Sequence, residues 1–438
     1  MATRAYYINS HRRPTEMRIL LILPKKLVTF ILRYRGVQTS RVKRKANLVP
    51  SVRAFVTTLC VLATLLMCST FAQTIDNKEG SGESNAVTLR TGIWVIQPVP
   101  KDDAELQKFE KGVRENPYLS GVILHAGWNE VEKNPGKYNF DGFDRAIAVL
   151  LKVGMKYKLG VKPGTSTPQF VYQEGAATFQ TIVTNPHRAT HGDTVTFPLP
   201  WDPIYQTHFS RLIKTFGERY SSDPLCVSVA VTCANYLSAE MHLPKRPEDM
   251  QKWRLFGDYK NKLLDVYKKY TDEWARAFPR QEICLHVSPV LHMPSSELIE
   301  KVIENGISKY PNRFAIQNCV LSGRREDTGK EPYDIIVKYK DRAHHGFQSL
   351  AGFSHSGERM GSIEMAALNL VHAGGEYWEL WHGDGMSIEI SQKVAKAWDE
   401  AKKMGYDAYK TKLIAEGLYR KVEDDTYWQK VRKKRNRK

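Results

Sequence analysis

Short apolar segments and amphipathic segments alternate along the chain from about residue 91 to residue 405. The apolar segments are six to eight residues long, rich in β-branched or aromatic residues, and mostly lack strict polar alternation. Strands that are buried on both faces of a parallel sheet have this pattern. The predicted strands are Gly92–Val99, Gly121–Gly127, Met155–Val161, Cys226–Thr232, Ile283–Ser288, Phe314–Val320, Gly346–Phe353 and Glu376–Trp381.

Between these strands, apolar residues recur near the 3.6-residue period of a helix. Eight strands that each precede a helix, within about 315 residues, predict an α/β fold with one (β/α)8 TIM barrel. In such barrels the functional residues lie where strands end and the following loops begin. The clearest helical stripes are Phe143, Ile147, Leu150 and Leu151, then Trp253, Phe256, Leu263, Tyr267 and Trp274, and then Leu298, Val302 and Ile307.

The formal net charge of +18 is concentrated at the two ends of the chain. Residues 1–53 hold thirteen Lys and Arg against one acid, and residues 430–438 hold seven basic residues and no acidic one. The intervening residues 54–429 hold 45 basic and 46 acidic residues. A nearly neutral body gives no electrostatic reason to expect a nucleic-acid partner.

An uncharged apolar run at residues 54–67 follows Arg53 and precedes small residues that end at Ala72. This arrangement predicts a signal peptide over residues 54–72 and an extracytoplasmic protein, either released or held by the same run as a membrane anchor. The predicted division is therefore a basic region 1–53, the signal or anchor 54–72, a polar linker 73–88, the barrel 89–415 and a basic tail 416–438.

The cysteines and histidines give no metal-binding pattern. Four cysteines lie in or at the ends of predicted strands, where a free thiol is typically a small buried apolar group. Several histidines also fall near strand ends, but the first strand lacks a His-x-His pair, so neither a metal nor another cofactor is expected. These residues are Cys226, Cys233, Cys284, Cys319, His125, His286, His292, His355 and His382.

The second strand runs into a segment with a recognisable pattern. Residues 125–141 read His-Ala-Gly-Trp-Asn-Glu-Val-Glu-Lys-Asn-Pro-Gly-Lys-Tyr-Asn-Phe-Asp. This segment resembles the clan A glycoside hydrolases, the barrel superfamily of β-galactosidases and cellulases, in which a Trp is followed by E-x-x-P-G-x-Y-x-F/W. The similarity extends over about residues 89–245 and implies a (β/α)8 enzyme that cleaves glycosidic bonds. Trp128 could offer a flat face to a sugar, or Trp128 and Glu132 could only pack and close the loop.

Cleavage of a glycoside requires one carboxyl group that stays protonated and a second carboxylate that attacks the anomeric carbon or activates water. Glu240 is the acidic residue nearest the end of the fourth strand and is the predicted acid. The clan A pattern has adjacent Asn and Glu, whereas here four residues separate Asn235 from Glu240. The stretch Ala239–Pro244 also resembles the acid-bearing loop of β-amylases. A salt-bridging or helix-capping carboxylate is the alternative role for Glu240.

The second carboxylate is ambiguous because the seventh strand, where clan A enzymes place their nucleophile, contains no acid. Glu379 on the eighth strand is preferred because it shares the inward phase of Tyr377 and Trp381. Glu358 follows the seventh strand, Glu364 lies in the next helix, and the absence of any second catalytic acid remains an alternative.

The sequence thus predicts a glycosidase acting on an oligosaccharide or polysaccharide, with a non-catalytic carbohydrate-binding barrel as the alternative. Fold alone does not separate these two functions. Aromatic residues are expected to stack on sugar rings, and histidines and asparagines to bind hydroxyl groups. The predicted sugar-binding residues are Trp94, His125, Trp128, Asn129, Asn235, His355, Trp378, Trp381 and His382.

Overall fold

The computed structural model describes residues 18–22, 29–33, 87–327, 333–427 and 430. The chain divides into two compact units, Met1–Ser84 and Asn85–Lys438. In the first unit the strands Arg18–Ile22 and Thr29–Arg33 pair antiparallel. The predicted signal or anchor at 54–72 lies outside the described residues. Within the described parts of the chain, no helix is long and apolar enough to span a membrane.

The second unit is built around eight parallel strands that close into a barrel, each paired with its neighbours in sequence order. The fold is therefore a (β/α)8 barrel, as the alternation of apolar and amphipathic segments predicts. All eight predicted strands are confirmed, with ends that shift by a few residues. They are β1 (Gly92–Pro98), β2 (Leu119–Gly127), β3 (Lys156–Lys162), β4 (Cys226–Val231), β5 (Glu282–Val287), β6 (Phe314–Leu321), β7 (His344–Ser349) and β8 (Tyr377–Trp381).

A helix follows each strand and packs on the outside of the barrel. These are α1 (Asp103–Glu115), α2 (Asp141–Val153), α3 (Pro203–Tyr220), α4 (Tyr259–Ala277), α5 (Ile299–Lys309), α6 (Tyr333–Tyr339), α7 (Ile363–His372) and α8 (Ile388–Met404). Additional helices are Trp128–Val131, Gln169–Gln173, Pro247–Leu255, Gly357–Met360, His382–Gly385 and Tyr406–Ala415, and two small antiparallel ribbons pair Glu132–Asn134 with Lys137–Tyr138 and Thr178–Ile182 with Thr194–Pro198.

Helix boundaries follow local chemistry. Asp202 precedes α3 and accepts hydrogen bonds from the backbone N–H groups of Ile204 and Tyr205, while Pro203 occupies the first turn. Such a cap satisfies N–H groups that have no partner inside the helix. Gly154, with a φ of 67°, ends α2 in the left-handed conformation that glycine adopts readily.

Two helical stripes predicted from the sequence need correction. Trp253 and Phe256 do not continue into the helix that holds Leu263, because Gly257 has a φ of 69° and separates Pro247–Leu255 from α4. Leu151 is 50% exposed, whereas its neighbour Leu150 is fully buried. The apolar side of α2 is thus narrower than the sequence pattern suggests.

The barrel interior near the N-terminal ends of the strands is filled by large side chains. The ring of Trp94 occupies the space that a Cβ atom on Gly121 would need, at 2.4 Å from that position. Trp94 packs there with Ile96, Ile123, Val227 and Tyr377 in an apolar cluster separate from the core between strands and helices. The glycine on β2 is therefore what admits an indole inside the barrel.

The chain continues to pack on the barrel after residue 415, beyond the predicted boundary of the barrel. Tyr419 donates a 2.6 Å hydrogen bond to Glu326. Asp425 lies 3.7 Å from Arg324 and 3.5 Å from Arg325. At least residues 416–427 are thus part of the folded unit rather than of a free tail.

The four cysteines of the barrel are buried and form no disulfide bond with one another, as predicted. They are Cys226, Cys233, Cys284 and Cys319.

Candidate active site

A cavity of about 630 Å³ opens among the loops that follow the barrel strands. This size is usual for small-molecule sites, and the position is the one that (β/α)8 enzymes use. Both Glu240 and Glu379 line the cavity, which also contains four histidines and three cationic side chains. The polar and aromatic lining residues include His125, Lys162, His187, Arg188, Tyr236, His242, His286, Gln348, Arg359 and Trp381.

Glu240 lies in the loop that follows β4. The loop is held by Asn235, whose amide donates a 2.7 Å hydrogen bond to the backbone carbonyl of Glu240 and whose carbonyl accepts one of 2.6 Å from the N–H of Cys233. Burial raises the pKa of the Glu240 carboxyl, an effect that a hydrogen bond from Ser238 and the nearby Arg188 partly oppose. The site thus favours a protonated carboxyl at Glu240, while Asn235 acts on it through the loop backbone.

Glu379 lies on β8 and is only 1% exposed. Its Oε1 atom accepts hydrogen bonds from Arg90 and, at 3.1 Å, from Lys158. Its Oε2 atom accepts a 2.8 Å hydrogen bond from the Gln317 amide. Two cations and a neutral amide donor therefore hold this carboxylate in place.

The two carboxylates face a common space. Burial raises the pKa of the Cys319 thiol, and the charges of Glu240 and Glu379 both raise it further. Glu240, Glu379 and Cys319 on β6 all line the same cavity. The cavity therefore combines a carboxyl group whose pKa is raised by burial with a second carboxyl group held by two cations, and glycoside cleavage requires a pair of carboxyl groups.

A buried polar network supports Glu379 from below. Arg90 donates a 2.7 Å hydrogen bond to Glu282 at the start of β5 as well as binding Glu379. The guanidinium of Arg90 lies 3.7 Å from the centre of the Tyr377 ring. The neighbouring carboxylate of Glu282 forms an ion pair with His344, whose Nδ1 lies 2.7 Å from Glu282 Oε2.

The histidines of the cavity are poor proton acceptors. Burial, followed by the charge of Lys162, lowers the pKa of His125 to about 3. Burial and the charges of Lys158 and Arg90 lower the pKa of His286 well below its usual range. His125 Nδ1 is buried and has no hydrogen-bond partner within the described residues, so a ligand could supply one.

Of the other predicted sugar-binding residues, only Trp381 reaches this cavity. Trp381 is 39% exposed and donates a 2.7 Å hydrogen bond to the Ser349 carbonyl. His355 lines a depression of about 290 Å³ next to Trp381. His382 is half-buried and follows directly after Trp381, and the charge of Lys108 adds to the effect of burial in lowering its pKa.

Several predicted residues lie elsewhere. Trp128 is fully buried against Phe170, Tyr205 and Phe209 and donates a 2.8 Å hydrogen bond to Glu132, as the packing alternative requires. Trp94 lies in the lower barrel interior, as described above. Trp378 is fully buried between strand and helices, where it contacts Trp398. Asn129 is exposed and lines a separate depression with Lys133 and Tyr172.

Glu358 is not brought together with Glu240. Its side chain is 77% exposed and lies 3.8 Å from Lys430. It lines a surface depression with Arg420 and Tyr427, not the cavity that contains Glu240 and Glu379. On β7, where the clan A pattern has its acid, Gln348 lines the cavity instead.

The cations around these carboxylates are not among the residues predicted from the sequence. Lys158 and Lys162 lie two and six residues after the first residue of β3, in the inward phase with Gly160. A charged residue at an inward position of a buried strand is a signal that requires a partner. Arg90 and Arg188 come from loops and Arg359 comes from the short helix Gly357–Met360, so the pattern of the strands carries no such signal for them. Within the described residues, no three histidine, cysteine or acidic side chains are grouped so that they could hold a metal ion.

A comparison with models of protein families finds a match to part of this chain. Residues 119–279 match the model of glycoside hydrolase family 42, described as β-galactosidase. The fold is a (β/α)8 barrel, and the matched segment covers less than half of the chain. The match and the closed barrel together support a glycosidase, and the matched segment begins at β2 and ends just after α4, so it includes Glu240 but not Glu379.

A comparison with solved structures finds matches of low sequence identity. The catalytic domain of β-amylase from Paenibacillus polymyxa is 11% identical, with a TM-score of 0.45, and the match covers 70% of this chain and 99% of that one. β-Galactosidase from the psychrophilic Marinomonas ef1 is 12% identical, with a TM-score of 0.46, over 72% of this chain and 61% of that one. β-Galactosidase from the Antarctic haloarchaeon Halorubrum lacusprofundi is 14% identical, with a TM-score of 0.46, over 70% and 58%.

This chain thus spans about three fifths of the length of those two β-galactosidases. A comparison with curated protein sequences finds no match.

Proposed function

We propose that this protein is a glycoside hydrolase that cleaves a glycosidic bond in an oligosaccharide or polysaccharide. The observation that carries the proposal is the pairing, in one cavity, of Glu240, whose pKa is raised by burial, with Glu379, which two cations hold. Glu240 donates its proton to the leaving glycosidic oxygen as the bond from the anomeric carbon to that oxygen breaks.

Glu379 is the proposed second carboxylate. It either attacks the anomeric carbon to form a covalent intermediate that water then hydrolyses, or orients the water that attacks directly. In both cases the anionic carboxylate stabilises the positive charge that develops on the sugar ring in the transition state. His125, Gln348 and Trp381 line the same cavity and are proposed to bind hydroxyl groups and one sugar face.

A carbohydrate-binding barrel without catalysis is a second candidate, and one observation favours it. Both oxygens of Glu379 already accept hydrogen bonds from protein groups, which is also what a purely structural carboxylate would do. The presence of Gln348 on β7 instead of an acid points the same way. The two functions differ in whether any sugar is released.

The test uses Glu240→Gln, which keeps the shape of the side chain but has no proton to donate. With a poor leaving group, turnover should fall by roughly 10²- to 10⁴-fold, while an aryl glycoside with an activated leaving group should lose less. Glu358→Gln is the matched control, because the exposed Glu358 lies outside the cavity. If the parent protein releases sugar and Glu240→Gln is equally active on every substrate, the assignment of Glu240 is wrong. Binding of glycans without any hydrolysis would instead favour the second candidate.

We further propose export through residues 54–72, based on the apolar run between Arg53 and Ala72. Cleavage after Ala72 would give a mature chain that begins at Gln73. Sequencing the N-terminus of the exported protein tests this, since a retained Arg53 would indicate the membrane-anchored alternative.

A further inference from the structure

Three cationic side chains line the cavity that contains Glu240 and Glu379. Lys162 is the last residue of β3, Arg188 lies in the connection between the ribbon strands Thr178–Ile182 and Thr194–Pro198, and Arg359 lies in the short helix Gly357–Met360. They come from three separate parts of the sequence, and only the fold places them around one space.

These three cations have no counter-ion among the described residues. No carboxylate of the described chain lies within ion-pair distance of Lys162, Arg188 or Arg359, whereas Arg90 and Lys158 beneath the cavity are both paired with Glu379. The Nε atom of Arg359 is buried and donates no hydrogen bond within the described residues. A buried donor on a charged group is costly when it is left without a partner.

The cations also repel one another. Burial lowers the pKa of Arg359, and the charges of Arg324 and Arg188 lower it further. Burial also lowers the pKa of Lys162; the charge of Glu130 opposes this effect, and the charges of Arg188 and Lys101 add to it. Arg188 further lowers the pKa of His242, after burial and Lys245. The three cations thus give the cavity a positive electrostatic potential, and a bound anion would reduce their mutual repulsion.

The acidic residues of the cavity do not balance this field. Glu240 and Glu379 are the acidic residues among its lining side chains in the described chain. Glu379 is already neutralised by Arg90 and Lys158, and burial favours the uncharged form of Glu240. A neutral sugar would displace water from the three cations and offer only hydroxyl groups in return, whereas an anionic sugar would supply charge-assisted hydrogen bonds.

We propose that the cavity selects a glycan with an anionic substituent, a uronate carboxylate or a sulfate ester, which Arg188, Arg359 and Lys162 bind. The proposal rests on the glycoside hydrolase function proposed above, and it specifies the class of sugar that this site takes. Arginine is suited to this role because its planar guanidinium can form two parallel hydrogen bonds to a carboxylate or sulfate.

The experiment measures binding, which requires no turnover. The full chain is titrated calorimetrically with glucuronate and galacturonate, with glucose 6-sulfate, and with glucose and galactose as neutral counterparts. We expect anionic sugars to bind more tightly than neutral ones, and this preference to weaken as salt is raised. Binding of uronates alone identifies a carboxylate, binding of the sulfate alone identifies a sulfate ester, and binding of both indicates recognition by charge.

Arg359→Gln and Arg188→Gln should each weaken binding of the anionic sugar by roughly 10- to 100-fold and leave neutral sugars unchanged. Arg359→Lys should restore part of the affinity. Arg188 is exposed in a loop, so Arg188→Gln tests the site even if Arg359→Gln does not fold. Arg276→Gln, at an exposed position on α4, makes the same charge change away from the cavity and should have no effect.

The inference is overturned if no anionic sugar binds, if neutral sugars bind equally well, or if Arg276→Gln weakens binding as much as the cavity variants do. It fails separately from the proposed function. If neutral glycosides are hydrolysed and Arg359→Gln does not affect this hydrolysis, the anion site is rejected and the glycosidase function is retained. If anions bind but no glycoside is hydrolysed, the anion site is retained and the glycosidase function is rejected.

Discussion

Lys158 and Glu379 form a buried ion pair of 3.1 Å across the barrel interior, although they lie on strands that are not neighbours in the sheet. The ammonium of Lys158 also lies 2.8 Å from His286 Nε2. Because an ammonium has no acceptor, His286 Nε2 must accept and its proton must lie on Nδ1, which agrees with the strongly lowered pKa of this histidine. A neutral histidine thus leaves the charge of Lys158 available to Glu379.

The first prediction concerns the identity of the second carboxylate. Glu379→Gln should lower kcat for activated and unactivated glycosides alike, by roughly 10²-fold or more, because stabilisation of the ring charge is needed whatever the leaving group. Glu358→Gln should leave both rates near those of the parent, since Glu358 lies outside the cavity. Steady-state kinetics on the two substrate types tests this ranking, and the reverse order of effects would assign the role to Glu358.

The second prediction concerns the pH profile. Glu240 must be protonated to donate, and burial raises its pKa, so kcat/KM should fall as the pH rises above that pKa. The pKa reported by this alkaline limb should lie above the usual range of a glutamate. The residual activity of Glu240→Gln on an activated aryl glycoside should lack the limb. A limb of the same midpoint in the variant would assign the titration to another group.

The third prediction concerns the stability of the polar network. Arg90→Met removes one cationic partner from each of Glu282 and Glu379 and leaves these two carboxylates in the barrel interior with His344 and Lys158 as their remaining cationic partners. Loss of one partner from a buried ion pair typically lowers the free energy of unfolding by about 3–5 kcal/mol. Urea denaturation should show this loss. Arg114→Met, which removes an exposed pair with Glu110 on α1, should change the stability by less than about 1 kcal/mol.

The fold could be predicted because each barrel strand can be recognised from its own short sequence. Each strand is a short apolar segment, and the helix that follows has its own period, so β-α alternation fixes the class of fold before any long-range contact is known. Glu240 was identified for the same reason, as an acid just after β4. Glu379 was placed inward because Tyr377 and Trp381 share its phase on β8, and both placements agree with the cavity.

The remainder of the site depends on contacts between distant parts of the chain. The local sequence around a tryptophan near a strand end does not show whether its ring faces a cavity, as that of Trp381 does, or is buried under a loop, as that of Trp128 is. What decides is the neighbour that covers the ring, here Phe209 on α3, about eighty residues away in sequence. Arg188 and Arg359 likewise line one cavity only because of the fold, so no local sequence pattern predicts the positive potential there.

The last prediction concerns the effect of pH on folding. His344 begins β7 and lies 2.7 Å from Glu282 and 3.4 Å from Glu376. Burial alone would lower the pKa of His344, but the two carboxylates outweigh burial and raise it from 6.5 to about 9. Because the folded state holds this proton more tightly than the unfolded state, the contribution of His344 to stability is fully present below about pH 6.5 and is lost as the pH rises to about 9.

The shift corresponds to about 3 kcal/mol for this buried side chain, since each pKa unit is worth about 1.4 kcal/mol. His344→Gln keeps a polar side chain without the titrating charge. The difference in unfolding free energy between the parent and His344→Gln should therefore be largest near pH 6 and shrink toward pH 9, as measured by urea denaturation at each pH. His292→Gln is the matched control, because His292 is exposed and its Nε2 donates a 3.0 Å hydrogen bond to the uncharged backbone carbonyl of Lys245. A stability difference for His344→Gln that stays constant from pH 6 to about pH 9 would show that the ion pair with Glu282 does not control this titration.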